Sequence, residues 1–296
     1  MARGRDYSDR RFLGNRRGAA VVMRNEQLTI SGDVDPGGSA AVARLLNDQV
    51  IASAWYAEST SSTNTVALNE LDPAREASSS LPRLFLTDRQ TTGRGRRGRD
   101  WLSSDQTLTF SILLELGTRA PTSDLLSLAV GVGIAQSIEF DLAPLNTQIK
   151  WPNDVYAGGG KVAGILLETT GVANDRVVVG VGLNVGAPPE MDESGLAAKV
   201  CSLHEATGRI TGRYDHLYSI VQQIMNAIQS IDSVIPEFKR RCLLTGKSIR
   251  YSEGGIQREG RCLGIDQEGA LIVESETATQ QLRSGEVHLI RHGRTE

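Results

Sequence analysis

Apolar residues recur at helical spacing over 41–52 (AVARLLNDQVIA), which predicts a short amphipathic helix. Serines and threonines open 59–71 (STSSTNTVALNEL) ahead of a second apolar repeat, a helix N-terminus signal. Residues 83–88 (RLFLTD) and 106–116 (QTLTFSILLEL) read as strands. A Ser-Asp start and an almost continuous apolar run predict a buried helix over 123–142. Strands follow at 147–151 and 161–171 around a glycine-rich turn, then at 176–186 (RVVVGVGLNVG), valine-rich and buried on both faces. Over 214–232 a stripe of Leu217, Ile220, Val221, Ile224, Met225, Ile228 and Ile231 marks an amphipathic helix. From about residue 244 short strands alternate with SEGG, DQEGA and RSGE turns, the texture of a small β-barrel. The pattern predicts an α+β fold: a mixed β-sheet with helices packed on one side, followed by a small C-terminal β-barrel. It divides the chain at 39–243 and 244–296. Residues 1–38 lack hydrophobic periodicity and are expected to be a disordered, arginine-rich extension.

Charge narrows the partners. Residues 1–24 hold seven arginines against Asp6 and Asp9, whereas the 296-residue chain has a net charge of −3, so its body is acidic and unlike a nucleic-acid-binding surface. No apolar stretch is long enough to span a bilayer, and no signal peptide is visible. Cys201, Cys242 and Cys262 are scattered, which implies a reducing, cytoplasmic setting without a disulfide framework or zinc site. Lysine is scarce beside arginine. Two of the five lysines, Lys150 and Lys161, flank one glycine-rich segment and are candidates for point-charge work.

Residues 93–101, GRGRRGRDW, match the G-x-G-x-x-G of a dinucleotide-binding loop. Such a loop needs a strand before it and a helix after it, with pyrophosphate on the helix N-terminus. The strand is present, but a second strand follows and four arginines stand among the glycines. No Gly-Lys-Ser/Thr makes it a Walker loop. Two readings of the loop remain level: an arginine-bearing hinge that closes over a phosphorylated ligand, and a solvated basic hairpin tip.

SSTN (61–64), RQTTGRGRRGRDW (89–101), KWPNDVY (150–156), GKVAGILLE (160–168) and GVGLNV (180–185) occur in the order and at about the spacing of the biotin protein ligases. The resemblance runs from about residue 41 to Arg291 and extends to the C-terminal GIDQEGALIVE and SGEVHLIR. It implies a class II synthetase-like catalytic domain and a two-step acyl transfer. Biotin is first activated by ATP, with Mg2+, to biotinyl-AMP. The biotinyl group then passes to a lysine of a biotin carboxyl carrier protein, an acetyl-CoA carboxylase subunit, or of another biotin-accepting carboxylase domain. Lys161 resembles the lysine between biotin carboxylate and α-phosphate; Arg94 and Arg96 resemble the loop arginines that hold the adenylate. These three are the expected catalytic residues, because charge develops on phosphate oxygens in both steps. Ser62, Thr63, Asn64, Gln90, Gly93, Gly95, Trp101 and Gly164, with Arg94, Arg96 and Lys161, are implied to bind biotin. Arg97, Lys150, Asn153, Asp154 and Asn184 are implied to bind the nucleotide. Asp154 is either a metal ligand, with Asn153 nearby, or the residue that orients Lys161.

Only about 40 residues precede the first expected helix, and they show no pair of amphipathic helices joined by a short turn, so a ligase without the N-terminal DNA-binding repressor domain is expected. The partners expected are therefore a carrier protein and neither DNA nor membrane, with the chain a monomer or a homodimer. Thr91 and Thr92 depart from the family's loop without touching a named role. The segment 187–213 is expected to cover the adenine. Lipoate protein ligases share the fold and adenylate chemistry and are the alternative enzyme reading. A non-enzymatic DNA-binding regulator is the alternative of another class.

Overall fold

The computed structural model describes residues 22–24, 27–71, 80–116, 121–169, 175–187, 199–253 and 256–290. Nine strands form one sheet: β1 (Val22–Arg24), β2 (Leu28–Ser31), β3 (Ser53–Thr60), β4 (Arg83–Gln90), β5 (Thr107–Glu115), β6 (Gln148–Lys150), β7 (Asp154–Ala157), β8 (Gly160–Glu168) and β9 (Arg176–Asn184). Their order is β1-β2-β3-β4-β5-β9-β8-β7-β6. The β2–β3 and β3–β4 pairs are parallel and the others antiparallel, so the sheet is mixed.

Alternation along the central strands sets two faces. In β9, Val177, Val179, Val181 and Leu183 join the main core, under the helices α1 (Pro36–Asn47), α3 (Ser123–Asp141), α5 (Leu217–Gln229) and α6 (Val234–Arg241). Val178 points the other way, into a small cluster with Phe85, Leu113 and the helix α2 (Thr63–Asn69). The expectation of helices on one side therefore needs correction: α2 covers the opposite face. The reason is visible in the sequence of α2, whose Ala67, with Val66 and Leu68 beside it, supplies a short apolar patch for Phe85 and Leu113. One more short helix, α4 (Leu203–Thr207), follows β9 and carries a Ser202–Glu205 capping box.

Order begins earlier than residue 39. The expectation of disorder fails for 27–38: β2 pairs with β3, and Asp35 caps α1 by accepting the Gly37 N–H at 2.7 Å, with Pro36 in the first turn. Helix α1 ends at Asn47, so the end of the run 41–52 leads into β3, a strand not anticipated there. The first 21 residues lie outside the described ones.

At the C-terminus, β10 (Ser248–Glu253), β11 (Ile256–Ile265), β12 (Leu271–Glu274), β13 (Thr279–Leu282) and β14 (Val287–Leu289) form an antiparallel sheet in the order β13-β12-β11-β10-β14. The expected barrel is not closed: among the described residues the edge strands β13 and β14 do not pair with each other. Closure requires that pairing, and β14, three residues long, is used up against β10. Instead the sheet buries Ile249, Tyr251, Cys262 and Val273 in the main core cluster. Trp151 Nε1 donates to Gly269 O at 2.9 Å, tying this sheet to the end of β6. Among the described residues no helix is long and apolar enough to cross a membrane.

Candidate functional site

The α2 face of the sheet carries a pocket whose floor is glycine. Gly180 and Gly182 share the parity of Val178 in β9, and Gly164 of β8 pairs with Gly182. A Cβ on Gly180 would lie 2.1 Å from Asn64 Oδ1, and one on Gly182 would lie 2.2 Å from Trp101 Cε2. The glycines thus let α2 and the Trp101 ring come down onto the strands. Ser62 stands at the N-cap of α2 but makes no cap hydrogen bond with its side chain; it lines the pocket instead, 2% exposed. Asn64 Nδ2 donates to Glu168 Oε2 at 2.8 Å, while Ser111 Oγ, at 2.5 Å, donates to Asn64 Oδ1. Gln90 Oε1 accepts from the Thr63 N–H at 2.8 Å, with Thr63 Oγ1 at 3.2 Å. The hydroxyls and amides at this end are neutral; the charges beside them are Glu168 and Arg94, which pair with each other.

The GRGRRGRDW segment connects β4 and β5 without an α-helix, as expected. Its base is closed by Trp101 N–H donating to Gly93 O at 2.9 Å and Gly95 N–H donating to Arg99 O at 2.7 Å. Gly93 must be glycine, because a Cβ would sit 2.3 Å from Trp101 O. Arg97 and Gly98 at the tip take left-handed backbone angles, φ 58° and 71°. The arginines diverge. Arg94 pairs with Glu168 and donates to Thr65 Oγ1 at 3.2 Å, at the glycine-floored pocket. Arg96 donates to Asn153 Oδ1 at 3.2 Å. Arg97 and Arg99 line a second, larger cavity of about 380 Å³.

Lys161 stands where the two spaces meet. Together with Gly95, Arg96, Trp101 and Asn153 it lines both. Its Nζ is 2.6 Å from Asp154 Oδ1 and 5.6 Å from the centre of the Trp101 ring. The backbone is braced on the other edge: Lys161 N–H donates to Lys199 O at 2.8 Å and Cys201 N–H donates to Lys161 O at 3.0 Å. The β7–β8 connection is a two-residue turn, Gly158 and Gly159, both at positive φ, the hairpin type that demands glycine. Asn153 is fixed by Nδ2 donating to Ile165 O at 2.8 Å. Lys150, Asp154 and Asn184 line the larger cavity, with Asn184 buried and its Nδ2 donating to Cys201 O at 3.4 Å.

Five cations line this larger cavity, Arg96, Arg97, Arg99, Lys150 and Lys161, against the carboxylates of Asp100, Asp154 and Glu286. Burial pushes the Lys150 ammonium below the ordinary lysine range; Asp154 and Glu286 oppose that shift, while Lys161 and Arg99 add to it. Burial, then Arg97, lowers Arg96 in the same direction. Such a cluster of crowded, partly desolvated cations is suited to a polyanion.

All the anticipated site residues but Gly93 line one or both of these spaces; Gly93 stands behind Trp101 and Gln90, its carbonyl accepting from Trp101 N–H. Four contributors were missed. Ser111 and Glu168 hold Asn64 and Arg94, but in TLTFSILLE and GILLE they look like ordinary strand residues. Glu286 and His288 come from the C-terminal sheet and line the larger cavity, where SGEVH had read only as a turn and a strand end. Of 187–213, residues 188–198 lie outside the described ones, and Val200 lines the larger cavity.

The geometry sets a small pocket lined by hydroxyls and amides beside a larger cavity lined by arginines and lysines, with Lys161 at the junction. Comparison supplies the family. The model of the biotin/lipoate A/B protein ligase family matches residues 56–184. The biotin–[acetyl-CoA-carboxylase] ligase of Mycobacterium tuberculosis is 34% identical over 220 residues, covering 70% of this chain and 79% of that protein. The corresponding Paracoccus denitrificans ligase is 30% identical over 238 residues, covering 77% and 97%. The biotin protein ligase of Aquifex aeolicus, solved in complex with biotin and ATP, matches the fold with a TM-score of 0.68 at 27% identity, over 80% of this chain and 98% of that one. The chain belongs to the biotin/lipoate A/B protein ligase family, among its biotin protein ligases.

Proposed function

We propose that this chain is an ATP-dependent biotin–[acetyl-CoA-carboxylase] ligase. The observation that carries the reading is the junction: a neutral, glycine-floored pocket and a cationic cavity share Lys161 and Arg96 as common wall. In the small pocket Ser62, Thr63, Asn64 and Gln90 offer hydroxyls and amides to biotin's ureido head, which has two N–H donors and one carbonyl acceptor. Trp101 and Gly164 enclose the thioether ring and chain, and Gly93 and Gly95 keep the loop close above them. Arg94, paired with Glu168, closes this end.

The biotin carboxylate then emerges beside Lys161. Its oxygen attacks the α-phosphorus of ATP, the bond to the β-phosphate oxygen breaks, and pyrophosphate leaves. Lys161 and Arg96 hold two repelling anions together and stabilise the charge on the crowded phosphorus. Asp154 orients Lys161 through the 2.6 Å ion pair, the second of its two anticipated roles. Lys150 and Arg97 take up the remaining phosphates, and Asn184 meets the nucleotide. In the second step the neutral amine of a carrier lysine attacks the anhydride carbonyl carbon and AMP departs, with the amine proton lost to solvent.

The site also fits a magnesium ion carried in with ATP. No group of three His, Cys, Asp or Glu side chains suited to a metal is present among the described residues, but nucleotide-borne Mg2+ needs only one or two protein oxygens. Asp154, beside its ion pair with Lys161, and Asn153 would hold it, so that both anticipated roles of Asp154 would be met, and the ion would neutralise phosphate charge.

Isotope exchange of pyrophosphate into ATP tests the assignment. Exchange dependent on biotin is expected; exchange dependent on lipoate alone overturns it in favour of lipoate ligation.

A further inference from the structure

The C-terminal sheet places an anion on the wall of the cationic cavity. Glu286, just before β14, and His288 within it face that space, while Val287 between them turns into the core at 2% exposure. One atom is shared. Glu286 Oε1 accepts from Arg99 Nη2, and His288 Nε2 lies 3.2 Å from the same oxygen. The Arg99–Glu286 pair joins residues 187 apart in sequence and fastens the glycine-rich loop to the C-terminal sheet.

Electrostatics gives this pair a direction. The Glu286 carboxylate repels a polyanion in the cavity and also withholds Arg99 from it. The other charges around it are Arg96, Arg97 and Asp100 from the loop, Lys150 from β6, and Asp154 and Lys161 from the β7–β8 hairpin. Arg250, the cross-strand partner of His288 on β10, is occupied by Glu259 at 2.7 Å. An imidazole is the side chain that ordinarily changes charge between about pH 5 and 8.

We propose that Glu286 and His288 are positioning residues that form a proton-sensitive latch on Arg99, setting how tightly the cavity takes a nucleotide triphosphate. With His288 neutral, Glu286 holds Arg99, and a phosphate must compete for it. When His288 takes a proton from solvent, the imidazolium neutralises Glu286 Oε1, Arg99 is released toward the cavity, and the wall gains one positive charge. Both effects have the same sign: nucleotide binding tightens as pH falls. The inference rests on the nucleotide reading of this cavity.

The test is calorimetric binding of a non-hydrolysable ATP analogue to the full chain across pH 6 to 8, for wild type, His288→Gln, His288→Lys and Glu286→Gln. The Kd of wild type is expected to rise about two- to fivefold more over this range than that of His288→Gln, as for one partly exposed charge. Ionisation of the analogue and of Lys150 is common to both proteins and drops out. His288→Lys, a permanent cation, should bind more tightly than wild type at pH 8 and match it near pH 6, and Glu286→Gln should bind more tightly than wild type at pH 8. Wild type should also take up more protons on binding than His288→Gln, measured in buffers of different ionisation enthalpy. Parallel curves for wild type and His288→Gln, or no tightening in His288→Lys, overturn the latch. Failure of wild type to bind the analogue at any pH overturns the nucleotide reading instead, and biotin-dependent exchange tests the ligase assignment separately.

Discussion

The two spaces that meet at Lys161 are built by opposite means. The smaller is dug into regular structure: its floor is the glycines of β8 and β9, and its hydroxyls and amides, away from Lys161, are already bonded to one another through Ser111, Thr63 and Gln90. The larger is assembled from pieces far apart in sequence, the arginine loop, the KWPND turn and the C-terminal sheet, and its groups are charged. Shape selects in the first and charge attracts in the second. A neutral bicyclic head offers little for charge to act on, so its recognition must lie in close approach and hydrogen-bond geometry. A polyphosphate is flexible and can be gathered by mobile cations. Substitutions that act on one space and spare the other test whether this division is real.

The largest effect should come where the division ends. Lys161→Ala removes one of the two cations common to both spaces and leaves Asp154 without its partner. Biotin-dependent pyrophosphate exchange and transfer to a carrier domain should both fall by about 10²–10³-fold, the usual cost of one preorganised charge-stabilising donor. Undiminished transfer would remove Lys161 from the mechanism and leave the junction without a catalyst.

Next comes the glycine floor. Gly180→Ala drives a methyl into Asn64, whose side chain is held by Ser111, Glu168 and Leu166 and has no free direction in which to yield. Overpacking of this kind costs about 1–3 kcal/mol. The KM for biotin should therefore rise about tenfold or more while binding of an ATP analogue holds, since neither Gly180 nor Asn64 lines the larger cavity. Equal loss of both substrates would show the two spaces to be one.

The same contrast explains what could be read from the sequence. The KWPND, GKVAG and SSTN segments were legible because each brings several functional side chains together within a few residues, and local spacing decides where they point. Of the glycine floor Gly164 was legible, but Gly180 and Gly182 showed only as members of a valine-rich strand. That Gly180 and Gly182 face α2 depends on which parity of β9 meets the helical layer, and both faces are buried. Ser111 was hidden for the same reason, since a hydroxyl in TLTFSILLE gains meaning only from Asn64, 47 residues away in sequence. Glu286 and His288 were lost because the cavity wall they form exists only once β14 has packed beside the loop. Closure of the C-terminal barrel was inferred from strand and turn texture, which records strand number but not whether the edges meet.

Lys150 gives a charge test that the small pocket lacks. Its ammonium lies below the ordinary lysine range, so the folded chain loses this proton at lower pH than a free lysine does. Binding that needs the charged form weakens as pH rises through that lowered value, and a bound triphosphate raises it again with uptake of a proton. On the alkaline side the affinity for an ATP analogue should fall by about tenfold, the worth of one charged hydrogen bond. Lys150→Arg keeps its charge and should lose the alkaline fall. Biotin affinity should follow neither change. A fall that persists in Lys150→Arg would assign it to another group.

The smallest effect probes the opposite wall. Ser111 is fully buried, lines neither space, and gives its one hydroxyl proton to Asn64 Oδ1. Ser111→Ala leaves that buried acceptor without its donor and leaves Thr63 Oγ1 without its 2.7 Å neighbour. A lost hydrogen bond of this sort costs about 1 kcal/mol, roughly fivefold in affinity. If Asn64 is held for biotin, the whole of that loss should appear in biotin binding, with ATP-analogue binding unchanged. Ser111→Thr, which keeps the hydroxyl, should recover most of it. If Ser111→Ala lowers only the melting temperature, Ser111 serves the packing of α2 on the sheet, and the neutral pocket owes its selectivity to the glycines alone.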